Sequence, residues 1–494
     1  MAFVSTLRSY AFAAASWACA ILAISFPSFW FLAPFAAGFF LYDLCCLLNL
    51  RSALWRGFLF GLASGGAGIW WFWGTLPFDW VGLQFKSLQW YFVLAAWGEV
   101  TLTFALVTAI FAALMWRLRS LPFLPIVLAL LWIAMEEARM WGFALLTYGP
   151  RSLMGPHFSS QALGYALAEN HYLLQLAEGG GIYFLDFVVA LMGGVLAAIL
   201  LMRRIPGLKL KWGAAASAGI LALILLVPLF HHSNAPTGNA LRVTLVTTDL
   251  PLTPTLVDTT IFEDTLRQVA SESPAPDVVV FPEEYRLEKA FPDASSKTAF
   301  YQSILGSRDM LLLDSHHTQA KGKGVDTTLA FENARGETLG TYSKRFLMPA
   351  GEYMPWVLTT AFSLLPDHGV ANWTGHLATA TPAYTDLTAV PFKGWRLGAL
   401  ICSDFLSPHL YRELATKSHA DILLNLANPA WFHHSRLLYW KTVEISKVHA
   451  VQNRAYFLQA TNGSPSFAID PSGELMAQTE WGYVGPMTVS IPGT

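Results

Sequence analysis

YSKRFLMPAGEYMPW, residues 342–356, places a lysine at the end of a short run and a glutamate eight residues later, with Pro349, Gly351 and Pro355 interrupting any regular element. A cation and a carboxylate on a turn-rich segment read as groups displayed at a strand end. Two other strand ends carry reactive groups. FPEEY (281–285) closes the apolar run DVVVF with Pro282 and continues with Glu283 and Glu284, and GALICSDF (398–405) runs an apolar strand into Cys402. Around them, ALRVTLVTT, DVVVFPEE, DMLLLDS, TLAFEN, RLGALICSD and DILLNLAN read as strands. IFEDTLRQVASE, AFYQSILG and SRLLYWKTVEISKVHAVQNRA read as helices, and SFAIDPSGELMAQ as a hairpin turning at 470–473. Strands alternating with helices predict an α/β or α+β sandwich whose strand ends can hold a site.

The rest of the chain is of another kind. Of 494 residues only 13% are charged, 19 are tryptophan, and the mean hydropathy is +0.43, which points to a membrane protein. The apolar excess lies before residue 230. Seven runs near 9–26, 29–48, 55–75, 88–115, 122–142, 182–202 and 212–230 approach the roughly 20 residues that cross a bilayer. The Pro-, Gly- and Asn-containing stretch HHSNAPTGNA (231–240) then reads as a linker, dividing the chain into a membrane domain (1–232), a connection (233–240) and a soluble domain (241–494). A cleavable signal peptide is a poor reading of the first run, because more apolar runs follow at once.

Arginine and lysine placement orients the spans. Arg51 and Arg56 fall in the second loop, Arg117 and Arg119 in the fourth, and Arg203, Arg204, Lys209 and Lys211 in the sixth, while the first loop has none and the third only Lys86. The N-terminus is therefore expected in the cytoplasm, and an odd number of spans delivers the soluble domain to the far side. Cys19, Cys45 and Cys46 lie within apolar runs, so Cys402 stands alone in that domain, with no evident disulfide partner. A net charge of −2, no basic block and no zinc-ligand spacing exclude nucleic-acid binding and a metal centre as readings.

A thiol attacking a carbonyl needs a base, donors for the oxyanion and exclusion of water. Glutamate, lysine and cysteine supply those roles, since a lysine beside a carboxylate keeps it ionised and also favours the thiolate.

FPEE, YSKRFLMPAGEYMP, GALICSD, NLANPAWF and QNRAYFLQATNG together resemble the successive motifs of the nitrilase, or carbon-nitrogen hydrolase, superfamily. The pattern K-R-x-L-x-P-x-G-E-Y-x-P is met at Lys344, Arg345, Leu347, Pro349, Gly351, Glu352, Tyr353 and Pro355. GFLFGLASGGAGIWWFW, AMEEARMWGF and LAEGGGIYFLDFVVAL extend the resemblance through the membrane half, to the superfamily's apolipoprotein N-acyltransferase branch. It implies an αββα sandwich with Glu283 as general base, Lys344 on the oxyanion and Cys402 as nucleophile. It implies support from Glu352, Ser403 (through its backbone N–H) and Asp404, and a substrate pocket near Glu284, Tyr353, Asn428, Trp431 and Phe432. The reaction implied moves an acyl chain from a phospholipid through a cysteine thioester to the N-terminal amine of a lipoprotein. It needs no cofactor, is carried out by a monomer, and takes place at the bacterial inner membrane.

The chain departs from that pattern in places. Ser403 and Asp404 replace the usual Tyr-Glu after the nucleophile, Thr247–Thr248–Asp249–Leu250 replaces Gln-Gly-Asn-Ile after the first strand, and the final TVSIPGT brings no further membrane helix. These differences leave open a membrane-tethered amidase or acyltransferase with another substrate, such as the relatives in conjugal-transfer systems, and a non-enzymatic assembly component.

Charges inside the apolar runs are costly unless paired or facing a polar cavity. Glu99, Glu136, Glu137, Arg139 and Asp186 are such charges, and Glu136 and Arg139, at i and i+3, form the candidate polar site; a headgroup entrance and helix-to-helix bonding explain them equally well. The cluster IWWFWGTLPFDW (69–80) could grip acyl chains, but an interfacial aromatic belt explains it more simply. His409, His433 and His434 would permit a Cys-His alternative but sit in no motif.

Overall fold

The computed structural model describes residues 2–77, 86–203, 208–230, 239–252, 259–283, 285, 291, 293–306, 308–320, 324–363 and 387–493. Glu284 and most of the expected linker lie outside the described residues.

The N-terminal half holds helices α1 (Ala2–Ser25), α2 (Ala33–Cys46), α3 (Leu50–Gly68), α4 (Lys86–Leu118), α5 (Leu124–Leu146), α6 (Gly181–Met202) and α7 (Leu208–Leu226), one in each expected apolar run. Among the described residues, four stretches are long and apolar enough to cross a membrane: Pro27–Cys46, Gln89–Leu118, Gly181–Met202 and Lys211–Leu229. Charge explains why α5 does not join them, since it carries Glu136, Glu137 and Arg139. α3 packs on α4 through glycines one turn apart. A Cβ at Gly57 would stand 2.4 Å from Ala112 Cβ, and one at Gly61 2.6 Å from Ala105 Cα, so only bare backbone permits this approach.

The C-terminal half is built on two six-stranded sheets. The first has the order β12-β1-β2-β3-β4-β5, from β1 (Leu241–Thr247), β2 (Val278–Val280), β3 (Leu311–Ala320), β4 (Gly324–Asn333), β5 (Thr338–Ser343) and β12 (Gly485–Ile491). The second has the order β11-β10-β9-β8-β7-β6, from β6 (Val390–Phe392), β7 (Trp395–Ile401), β8 (Ile422–Ala427), β9 (Tyr456–Thr461), β10 (Phe467–Ile469) and β11 (Leu475–Gln478). Each has three parallel strands at its centre with antiparallel neighbours outside.

Strand alternation sets the layers. Val243, Leu245, Val278, Val280, Leu311 and Leu313 join the core shared with Leu397, Ala399 and Ile401 of the second sheet. Val246, Val279 and Leu312 point the other way, onto Leu266 of α8 (Thr259–Ser271) and Tyr301 and Leu305 of α9 (Ala294–Leu305). The second sheet is covered by α11 (Leu410–Lys417) and α12 (Arg436–Asn453), giving the expected αββα sandwich.

The two halves are fastened together beside the lysine segment. Tyr353 donates its hydroxyl to Thr147 O at 2.8 Å. Trp356, opening α10 (Trp356–Ser363), donates its backbone N–H to Tyr148 O at 2.8 Å and its indole N–H to Leu145 O at 3.0 Å. Elsewhere Ser159 donates to Leu406 O at 2.7 Å, Lys447 pairs with Glu169 at 3.0 Å, and Arg151 pairs with Asp326.

Candidate active site

β2 and β5 of the first sheet and β7 of the second end at one place. Glu283 lies three residues beyond β2, Lys344 directly follows β5, and Cys402 directly follows β7. Lys344 Nζ donates to Glu283 Oε1 and to Glu352 Oε1, both at 2.9 Å, and is 3% exposed. Glu352 is itself held, because its Oε2 accepts from Met348 N at 2.7 Å. An ammonium has three donors, so two carboxylates leave one N–H free.

Cys402 takes a φ of +47°, a left-handed conformation that costs a cysteine about 1–3 kcal/mol and is concentrated at active sites. The bend turns the chain from β7 into a short 3-10 helix, Cys402–Leu406. Burial and then the Glu283 carboxylate push the thiol well above its ordinary pKa, while Lys344 and the Asn428 backbone N–H pull the other way. The resting group is a thiol that needs a base. Burial opposes the charge of Lys344, yet the Glu283 and Glu352 carboxylates bonded to it outweigh burial and hold the ammonium protonated.

Ser403 and Asp404 clasp the backbone of one residue of the lysine segment, Phe346. Ser403 Oγ donates to Phe346 O, and Asp404 Oδ1 accepts from Phe346 N at 2.7 Å. Asp404 Oδ2 accepts from Tyr342 Oη at 2.9 Å and from Ile401 N at 3.1 Å. Burial raises the Asp404 pKa to about 6, only partly offset by Phe346 N–H, Lys344, Ile401 N–H and the Tyr342 hydroxyl. The Asp404 carboxylate thus ties Ile401, the residue before Cys402, to both sides of Lys344.

Cys402 and Ser403 open into a cleft of about 530 Å³ walled by Phe405, Pro429, Phe432 and Leu438. A second space of about 620 Å³ lies between α4, α5, the turn that follows α3 and the segment from Met348 to Leu358, and Trp71 and Met348 line both. Trp71 and Met348 therefore stand between the cleft at the thiol and the apolar space in the helical half.

Of the expected pocket residues, Phe432 is a wall, meeting Trp71 edge-on with ring centroids 5.2 Å apart. Asn428 acts through its backbone, its side chain being held by Asn462 at 2.9 Å. Tyr353 is 2% exposed and forms part of the fastening to α5, and neither it nor Trp431 lines the two spaces. The belt reading of 69–80 divides: Trp70 is 52% exposed, whereas Trp71 is buried at the junction of the spaces. Residues 78–80 lie outside the described residues. Trp71 is where the acyl-grip reading of the cluster fits better than the belt, and Met348 escaped the sequence reading because its letter does not distinguish a core from a cleft wall.

Arg139 and Glu136 are each 1% exposed and paired at 2.9 Å, and the guanidinium also donates to Thr108 Oγ1 at 2.7 Å and Ser64 Oγ at 3.1 Å. They join α3, α4 and α5 and line neither space. His409 lies against Tyr183 at 3.2 Å, His433 on Pro77 O and His434 on Gly463 O, each at 2.9 Å, so these rings are engaged elsewhere. Among the described residues no cluster of His, Cys, Asp and Glu could hold a metal ion.

An αββα sandwich with Glu, Lys and Cys at its strand ends, preceded by apolar helices, defines a membrane-associated carbon-nitrogen hydrolase. Residues 264–492 match the carbon-nitrogen hydrolase family, and residues 16–195 match the apolipoprotein N-acyltransferase N-terminal domain. The chain is similar to the apolipoprotein N-acyltransferase of Pseudomonas putida, with 27% identity over 90% of this chain and 85% of that one. It is 29% identical to that of Azotobacter vinelandii over 86% and 78%, and 24% identical to that of Rickettsia bellii over 91% and 85%. A Nesterenkonia AN1 amidase of the nitrilase superfamily superposes with a TM-score of 0.38 and 16% identity, over 52% of this chain and 93% of that one. Family matches thus run through both halves of the chain, and the relatives it resembles are apolipoprotein N-acyltransferases.

Proposed function

We propose that this protein is a bacterial inner-membrane acyltransferase that moves a fatty acyl chain from a phospholipid to the N-terminal amine of a lipoprotein. One observation carries the reading: a buried lysine held by two carboxylates stands beside a thiol whose cleft shares Trp71 and Met348 with an apolar space in the helical half, the path we assign to the acyl chain.

In the first half-reaction Glu283 accepts the thiol proton and Cys402 Sγ attacks the ester carbonyl of the phospholipid. The oxyanion takes the free N–H of Lys344 and the backbone N–H of Ser403. The C–O bond then breaks, the leaving alkoxide recovers the proton from Glu283, and lysophospholipid departs, leaving a thioester. In the second half the α-amine of the lipoprotein attacks the thioester, Glu283 takes the amine proton, and the C–S bond breaks to give the amide and return the proton to sulfur. Glu352 positions Lys344 throughout. Protein groups supply every proton and charge in this scheme, so no cofactor enters it.

The boundaries follow: a membrane domain over 1–232, a connection over 233–240 and a catalytic domain over 241–494, acting as a monomer. Seven spans with a cytoplasmic N-terminus place the site on the extracytoplasmic side, where the alternating Arg and Lys loops favour it. The test is intact mass spectrometry of the membrane-isolated protein. An acyl adduct is expected on the wild type and absent from Cys402→Ser; persistent absence from the wild type in phospholipid vesicles overturns the proposal.

A further inference from the structure

Every described acid of the helical half except one faces a partner. Asp43 pairs with Arg56 at 3.6 Å, Glu136 with Arg139 at 2.9 Å, Glu169 with Lys447 at 3.0 Å, and Glu178 with Arg454. Glu137 accepts from Tyr183 Oη, and Asp186 from Gly164 N, each at 2.7 Å. Glu99 is the exception. It is half-buried in α4, and among the described residues no hydrogen bond or ion pair reaches its carboxylate.

Its surroundings are specific. Glu99 lines the 620 Å³ space together with Trp71, Phe72 and Trp97, a wall that is otherwise almost wholly apolar. A carboxylate among aromatic rings is suited to an ammonium ion, since charge pairing and the ring quadrupoles act in the same direction. A neutral or anionic guest would leave the carboxylate uncompensated.

Depth narrows the choice. α4 runs over 33 residues, longer than a bilayer core requires, and ends at Arg117 and Leu118. Counting back from Arg117 by about 20 residues, at about 1.5 Å each, spans the roughly 30 Å core and reaches the neighbourhood of Trp97. Glu99 therefore lies at the headgroup edge of the hydrocarbon, on the side bearing the catalytic domain. Trp90 and Tyr91, 62% and 68% exposed, continue α4 outward as interfacial aromatics. The same space meets the Cys402 cleft at Trp71 and Met348.

We propose that Glu99, backed by Trp71, Phe72 and Trp97, seats the ammonium of an amine-bearing phospholipid headgroup and so selects the acyl donor. The inference rests on the acyl-transfer reading above and assigns that donor its specificity-determining residue. It is tested on the full chain in vesicles of phosphatidylethanolamine or phosphatidylglycerol with identical acyl chains, comparing wild type, Glu99→Gln and Glu99→Asp. Formation of the Cys402 adduct is followed by intact mass without acceptor, and transfer from the loaded enzyme to a diacylglyceryl-cysteine peptide is timed separately. Glu99→Gln is expected to load from phosphatidylethanolamine about tenfold more slowly and from phosphatidylglycerol no more slowly than the wild type, with Glu99→Asp restoring part of the difference. Equal losses with both donors, or none, overturn the proposal. A loss confined to the transfer step overturns it in favour of the acceptor's α-amine. A wild type that loads from neither donor refutes the acyl-transfer reading itself.

Discussion

In an Asp404→Asn variant the group that ties Cys402 to the lysine segment loses its charge while keeping its size and one acceptor oxygen. Burial lifts the Asp404 pKa from 3.8 to about 6. The folded state therefore holds this proton more tightly than the unfolded chain does. The stability it contributes is fully present below about pH 4 and is lost as pH rises through about 6. Two pKa units correspond to about 3 kcal/mol. Asparagine does not titrate, so the wild-type minus variant difference in stability should fall by about that amount between pH 4 and 7, other groups cancelling. Against this, one amide oxygen cannot accept from Phe346 N, Ile401 N and Tyr342 Oη together, and each buried donor left unpaired costs about 1–3 kcal/mol. The clasp also fixes Lys344 relative to the thiol, and a misplacement of about 1 Å costs on the order of 100-fold in rate. Thermal unfolding in detergent across pH 4–7.5 reads the first effect, and the rate of Cys402 adduct formation reads the second. Parallel pH curves with an unchanged acylation rate would refute the clasp.

Lys344→Ala should abolish the Cys402 adduct and destabilise the fold by about 3–5 kcal/mol, because Glu283 and Glu352 then lose their shared cation; a stable, active variant contradicts this. Met348→Trp should narrow the junction of the two spaces. Each methylene shut out costs about 0.8 kcal/mol, so excluding four should slow loading from long-chain phospholipids roughly 100-fold while sparing short-chain ones. An unchanged chain-length profile, read from adduct masses, would disprove the path. His449 donates an imidazole N–H to Phe405 O at 2.8 Å, and burial lowers its pKa to about 4. Its unfolded form protonates first, so stability should be lost as pH falls from 6.5 towards 4, by about 3 kcal/mol. His449→Gln should remove that share of the acid sensitivity in unfolding curves.

The strands of the C-terminal half were legible where short runs rich in β-branched residues end at turn formers, as DVVVF does at Pro282, and the three reactive strand ends announce themselves by residue type. The strand Tyr456–Thr461 was visible only as a motif, because every residue in it is buried and no alternation remains. Asp404 could not be placed in advance. Its partners Tyr342 and Phe346 lie 62 and 58 residues away, and only the pairing of two sheets brings them near. Glu99, Glu136, Glu137, Arg139 and Asp186 looked alike as charges in apolar runs; neighbours on other helices separate them.

The bonds from Tyr353 and Trp356 to the end of α5 bear on how the enzyme can be handled. Lys344 takes its bearing from Glu352, one residue before Tyr353, so the helical half anchors one end of the lysine segment. A soluble fragment starting at residue 241 would keep both sheets and all three reactive groups and still lose that mooring. The helices thus serve as a jig for the chemistry as well as a mount in the bilayer, and inhibitors could act by prising the loop from α5 without touching the thiol.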